Sequence, residues 1–315
     1  MIFEDCLLDT IQAVLYKYDT NRGNKAKFVK KEKIQKFVLY LLLVYSEYRS
    51  CYLVDYLQLS SIAVAVDIVA AICTHFNLRK EGFALFLLGD DVAIANRDVL
   101  RRKLAAQDHR NRTVLLELSA RQATVALEVA LNAAIQTLLT SMERGLVRVA
   151  QGFDVYHIPH GADLPFAAGW LLGYACVYTI APSSDPQGDA SINLGDALIQ
   201  FSVVAELEQS CMESMKHTRS MAMEKGLPRK SDAARDEELL IDIDLMEFTI
   251  PQAPLLLSGD SGTGLEEFVL AQVDGLVAEL RSRILATGGE LSPALRLRAV
   301  SFSKSVRTIA QKMFL

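Results

Sequence analysis

The chain has 315 residues, 51% of them hydrophobic and 23% charged, with a formal net charge of −5. That length admits one large domain or two smaller ones, and the apolar share excludes wholesale disorder. A charge so mild gives no global argument for nucleic acid as a partner. Cys6, Cys51, Cys73, Cys176 and Cys211 are odd in number and form no CxxC pair. This argues against structural zinc and a disulfide framework, and for a reducing, cytoplasmic setting. Glu4 and Asp5 stand where a signal peptide would carry positive charge, which disfavours secretion.

Residues 1–48 read as an N-terminal helical segment of two helices. Phe3, Leu7, Ile11, Val14 and Leu15 share one face, and Ile34, Phe37, Val38, Leu41 and Tyr45 another. Between residues 17 and 36 basic side chains dominate. Such a run is most often a solvated helix face, and it is the one stretch that leaves nucleic acid open.

From Cys51 onwards, short apolar runs alternate with helical patterns. "CYLVDYL", "FALFLL", "TVLLEL", "DVYHI" and "CVYTI" read as strands. "SIAVAVDIVAAICTHF", "NRDVLRRKLAAQ" with Asn96 as N-cap, the stretch from Gln122 to Gly145, and a helix from about Asp163 lie between them. Alternation of this kind predicts βαβ units. The expected fold class is therefore α/β, a Rossmann-like doubly wound, mainly parallel sheet with helices on both faces, plus N- and C-terminal helices. The uncharged stretch from Leu164 to Pro182 approaches the length of a membrane span. Its two internal glycines and β-rich end predict a buried helix running into a strand, so a membrane span is disfavoured.

The α/β domain is expected over 49–285, with 209–238 a polar, methionine-dotted insertion. "LLIDIDLMEF" alternates Ile241, Ile243 and Leu245 with Asp242 and Asp244, as an edge strand shielded by charge would. A long amphipathic helix follows Gly264. Over 286–315 the sequence predicts a basic amphipathic helix, with Leu295, Phe302, Val306, Ile309 and Met313 inward. Arg296, Arg298, Lys304, Arg307 and Lys312 then face outward, a surface suited to a protein partner.

"PLLLSGDSGTGLEEF", Pro254 to Phe268, invites three catalytic readings and satisfies none. A Walker P-loop needs Lys and then Ser or Thr after its last glycine, but Leu265 and Glu266 follow Gly264. A trypsin-like nucleophile lacks its all-β context and second glycine, and a hydrolase elbow has its last glycine one place early. The stretch reads as strand, turn and helix, with Thr263 and Glu266 as a capping box. No glycine fingerprint follows the first strand of the sheet, which disfavours NAD as well as P-loop nucleotide binding.

Ligands of doubly wound sheets sit beyond the carboxyl ends of the strands. The candidates for general acid–base work there are Asp55, Asp90, Asp91, Glu117, His157 and His160. Ser258, Asp260 and Ser261 are candidates for ligand contact, and Asp55, Asp90 and Asp91 for a metal ion. Acids at strand ends also cap helices and face solvent, and lone histidines are usually structural. The sequence therefore supports a pocket for a small polar ligand or metal ion without fixing a reaction. The alternative is a non-enzymatic adaptor that docks partners through its basic terminal helices and the 209–238 insertion.

"GWLLGYACVYTI", Gly169 to Ile180, resembles the "LLGYPVPYTF" core of an uncharacterised eukaryotic family whose vertebrate members carry an open-reading-frame name from human chromosome 1. "YLVDYLQLSSIAVAVDIV", "FALFLLGDDVAIANRDVLRRKL" and the segment from Ile250 to Ile284 resemble further units of that family in the same order, over roughly residues 51–285. Ala175 and Val177 stand where the family pattern has prolines. The resemblance implies an α/β fold and no particular activity. It directs attention to Asp55, Gly173, Tyr174 and Tyr178.

Overall fold

The computed structural model describes residues 3, 5–21, 29–54, 57, 59, 61–105, 113–118, 123–126, 128–149, 151–159, 163–180, 191–193, 198–209, 239–251, 264–292, 295–307 and 312–314. Seven helices are described: α1 (Asp5–Asn21), α2 (Lys31–Tyr45), α3 (Ile62–Phe76), α4 (Arg97–Ala105), α5 (Glu128–Gly145), α6 (Leu164–Leu172) and α7 (Leu265–Thr287). With them stand the strands β1 (Cys51–Leu53), β2 (Phe83–Leu88), β3 (Asp91–Asn96), β4 (Val114–Leu118), β5 (Ala123–Val125), β6 (Leu146–Arg148) and β7 (Asp154–Ile158). The later strands are β8 (Cys176–Ile180), β9 (Ser191–Asn193), β10 (Leu198–Gln209), β11 (Leu239–Pro251), β12 (Glu290–Ser292), β13 (Leu295–Arg307) and β14 (Lys312–Phe314).

Five strands in the order β1-β3-β2-β7-β6 form one mixed sheet. Within it β2 and β7 run parallel, whereas β1–β3, β2–β3 and β6–β7 are antiparallel. A three-stranded sheet, β5-β4-β8, holds a second parallel pair, β4–β8. The protein is thus mixed α/β, and the expected predominance of parallel pairing gives way to hairpins. The cause is local at β3. Gly89 and Asp90 form a two-residue turn with Gly89 at φ +61°, so "VAIAN" returns beside β2 instead of crossing over.

Strand β2 shows why the sheet needs cover on both sides. Phe83 and Leu85 join one apolar cluster, with α2 and α3, while Ala84, Phe86 and Leu88 join another, with α5 and α6. The period of two along the strand distributes one apolar run between two cores. Helix α2 is enclosed more completely than its predicted single stripe: Phe37 through Val44 are all buried. A helix apolar on every side belongs inside a protein. The stretch from Leu164 resolves, as expected, into α6 and β8, separated by Gly173 in the left-handed region at φ +81°. No helix among the described residues is long and apolar enough to cross a membrane.

The C-terminal part is an antiparallel sheet, β11-β10-β13-β12, with α7 packed on it through Val269, Val273, Val277 and Leu280. Strand β11 is indeed its edge, with Asp242 and Asp244 exposed and Ile243 and Leu245 buried. The predicted C-terminal helix is corrected here, because residues 295–307 form β13, paired along its length with β10. A register shift pairs Leu207 with Leu297 but Glu206 with Ala299, so Arg298 is an extra residue. That bulge moves the buried phase from Leu297 to Val300, and the slipped alternation imitates a helical stripe. The predicted capping box changes as well. Gly264 holds the N-cap position of α7, and the Glu266 carboxylate accepts from Lys304 of β13. Thr263 and the strand expected before it in "PLLLSGDSGTGLEEF" lie outside the described residues, as does residue range 210–238 of the expected insertion.

Candidate functional site

Of the predicted site residues, Asp55, His160, Ser258, Asp260 and Ser261 lie outside the described residues. Asp90 and Asp91 are exposed at the β2–β3 turn. His157 is exposed on β7, beside Leu87 of β2 in the parallel register. With Gly89, Pro159 and the α5 residues Ser141 and Arg144, it borders a hollow of about 460 Å³ at the carboxyl ends of β2 and β7. Glu117 is half-buried on β4 in the other sheet, opposite Thr124 of β5 and Thr179 of β8. Among the described residues no group of three or more His, Cys, Asp or Glu side chains gathers closely enough to hold a metal ion.

A more heavily charged cleft of about 450 Å³ opens elsewhere, between the α2–β1 link, α4, the end of α6, β11 and α7. The link enters it through Glu47, which has φ +63°, a left-handed backbone that is uncommon and costly for a residue with a Cβ. The Glu47 carboxylate accepts from Arg102 Nη2 at 2.5 Å and Arg283 Nη1 at 3.1 Å, and its carbonyl accepts from Arg283 at 2.6 Å. Arg283 also donates to Glu279, one turn earlier on α7. The Arg49 guanidinium lies over the Tyr40 ring, 4.5 Å from its centroid, and 5.8 Å from that of Tyr52.

Two further groups shape the walls. Lys103, at the end of α4, donates to the Trp170 carbonyl and stands 4.2 Å from the centroid of that ring. Burial pushes its amine down from the usual 10.5 to about 7, and Cys51 acts in the opposite direction. Cys51 itself is pushed up to about 12 by burial, opposed by Arg49 and Lys103, so it stays a thiol. Gly173 closes α6 by donating to the Trp170 carbonyl at 3.2 Å. A Cβ on Gly173 would stand 3.0 Å from Ser50 Oγ, on a backbone already at positive φ.

The link is anchored from below by Asn96. Its Nδ2 donates to the carbonyls of Val44 and Tyr45, at 3.0 and 3.1 Å, while its Oδ1 accepts from Asp98 and Val99 N at 3.0 and 2.9 Å. One buried amide thus satisfies the end of α2 and the start of α4 together. Leu172 and Arg49 continue into a neighbouring hollow bordered by Tyr174, so Gly173 and Tyr174, marked by the family resemblance, both line this region.

Sequence reasoning missed Glu47, Arg49, Arg102, Lys103 and Arg283. Each occupies an ordinary turn or amphipathic-helix position, and only the fold brings them together. No protein-family model, curated protein or solved structure matches this chain.

Proposed function

We propose that the cleft between α4, α6 and α7 binds a small anionic metabolite, the polar-ligand reading of the sequence moved to a different wall of the molecule. The observation that carries it is the charge balance: among the described residues, Arg49, Arg102, Lys103 and Arg283 face Glu47 and Glu279 around one hollow. Partly desolvated guanidinium groups bind carboxylate and phosphate oxygens in a geometry that lysine cannot reproduce. The hollow is of a size ordinary for small-molecule sites and lies between structural layers, where such sites concentrate.

Inorganic phosphate is the first probe. It should raise the melting temperature above that in sodium chloride of equal ionic strength, because a ligand that binds only the native state stabilises it. Arg49→Gln should abolish most of that rise. No difference between phosphate and chloride, or an undiminished response in Arg49→Gln, defeats the reading.

Two finer expectations belong with it. The parallel pairs β2–β7 and β4–β8, each returning after intervening helices, support reading the core as a remnant of a Rossmann-like doubly wound plan. Free thiols at Cys6, Cys51, Cys73 and Cys176 support a reducing, cytoplasmic setting. The adaptor alternative loses its C-terminal helix, since that segment is built into a sheet as β13.

A further inference from the structure

We infer that Lys103 is a reactive amine that condenses with the carbonyl carbon of a small anionic aldehyde or keto acid in the cleft, forming an imine. This rests on the anion-binding reading above and adds the functional group that the ligand must carry.

The geometry provides three supports. Lys103 lines the same hollow as Arg49 and Arg102, so an anionic group on the ligand would find guanidinium donors beside the amine. Its nitrogen is held by the Trp170 carbonyl over the Trp170 ring, which fixes a long stem in one place. That ring face also favours a cationic nitrogen, the form a protonated imine takes. Third, the nearby carboxylates are engaged by arginines: Glu47 by Arg102 and Arg283, and Glu279 by Arg283.

The charged and titratable groups around the amine are Glu47 and Arg49 on the link, Cys51 on β1, Arg102 on α4, and Glu279 and Arg283 on α7. Burial leaves the amine titrating near 7, with Cys51 acting in the opposite direction. About half of it is then neutral at pH 7, against fewer than roughly one in a thousand for an exposed lysine. Desolvation of a lysine is one way that proteins make this nucleophile.

The step needs no oxidant or reductant. The nitrogen lone pair attacks the carbonyl carbon, and a proton passes from nitrogen to oxygen to give a carbinolamine. Loss of that oxygen as water then leaves the carbon–nitrogen double bond. One amine and one carbonyl yield one imine and one water.

The test treats the full chain with glyoxylate, reduces with cyanoborohydride, and maps carboxymethyl-lysine by mass spectrometry. Glycolate, the same anion without a carbonyl, and inorganic phosphate are followed in parallel by melting temperature. Adduct on Lys103 should exceed that on exposed Lys33 by at least about tenfold at neutral pH, and glycolate should protect it. Its yield should rise between about pH 6 and 8, with a midpoint near 7. Lys103→Arg should lose the adduct, whereas Lys33→Arg, at an exposed position outside the cleft, should leave it in place. If glycolate or phosphate stabilises the protein but Lys103 labels no faster than Lys33, the imine is wrong and the anion site stands. If neither glycolate nor phosphate stabilises it, both readings fall.

Discussion

Arg283 reaches from α7 to Glu47, 236 residues earlier in the chain, and donates to its carbonyl as well as its carboxylate. The two bonds tie the C-terminal helix to the turn after α2 and hold that turn at positive φ. Strain of this kind costs on the order of 1–3 kcal/mol and persists where its surroundings over-determine it, often at ligand sites. Glu47 also competes with any anion for Arg102 and Arg283.

Glu47→Gln should therefore bind inorganic phosphate more tightly than the parent. The substitution keeps the side chain's length but removes the charge that occupies two arginines. An affinity gain of about tenfold, worth roughly 1.4 kcal/mol, is expected by titration calorimetry. Weaker binding in a variant with native circular dichroism would show that Glu47 helps the ligand rather than opposing it.

Asn96→Ala should cost about 2–4 kcal/mol in denaturant unfolding, the sum of a lost helix cap and stranded carbonyls. Asn96→Asp separates the two roles. It keeps the acceptor for Asp98 and Val99 but loses the amide donor to Val44 and Tyr45. A cost for Asn96→Asp close to zero would mean that the end of α2 does not depend on this bond.

Helices α1 to α3, the pair β2 and β7, and the passage from α6 to β8 were legible because each is an apolar stripe or run along its own residues, bounded by polar or turn-forming ones. Strand β3 has no counterpart among the strands read from the sequence, although Gly89-Asp90 between apolar runs is a recognised hairpin signal. Strand β13 deceived for a different reason: a single bulged residue, Arg298, converted a period of two into a mock helical stripe. The cleft was less legible still. Glu47, Lys103 and Arg283 sit on separate elements, and no spacing rule joins them. Gly173 in its lining stood out beforehand through the resemblance rather than through chemistry.

Lys103→Met should stabilise the protein at neutral pH, and less so at high pH. The folded-state pKa of this lysine lies below its ordinary value, so its charged form is disfavoured by folding. That penalty is full below about pH 7, shrinks as pH rises, and vanishes above about 10.5, where folded and unfolded chains both carry the neutral amine. Methionine fills a similar volume with no charge. A gain on the order of 1–3 kcal/mol near pH 7, decreasing towards pH 10, is expected from paired denaturation curves. A pH-independent difference would show that Lys103 keeps its ordinary titration in the folded chain.

Val300→Asp discriminates between β13 and a C-terminal helix. In the strand Val300 is 2% exposed, paired with Ala205 of the central strand β10. The helical stripe of Leu295, Phe302, Val306, Ile309 and Met313 does not include it, so a surface helix would accept an aspartate there at little cost. Burying an unpaired carboxylate in the sheet should cost upwards of about 3 kcal/mol and shift its pKa upwards. Arg298→Asp is the complementary control, and it has its own cost, since Arg298 pairs with the largely buried Glu208. Chemical denaturation of both variants checks the assignment: in the strand both should be clearly destabilised, with Val300→Asp still damaging in a background where Glu208 and Arg298 have been removed together. A Val300→Asp protein as stable as its parent would return the segment to the surface.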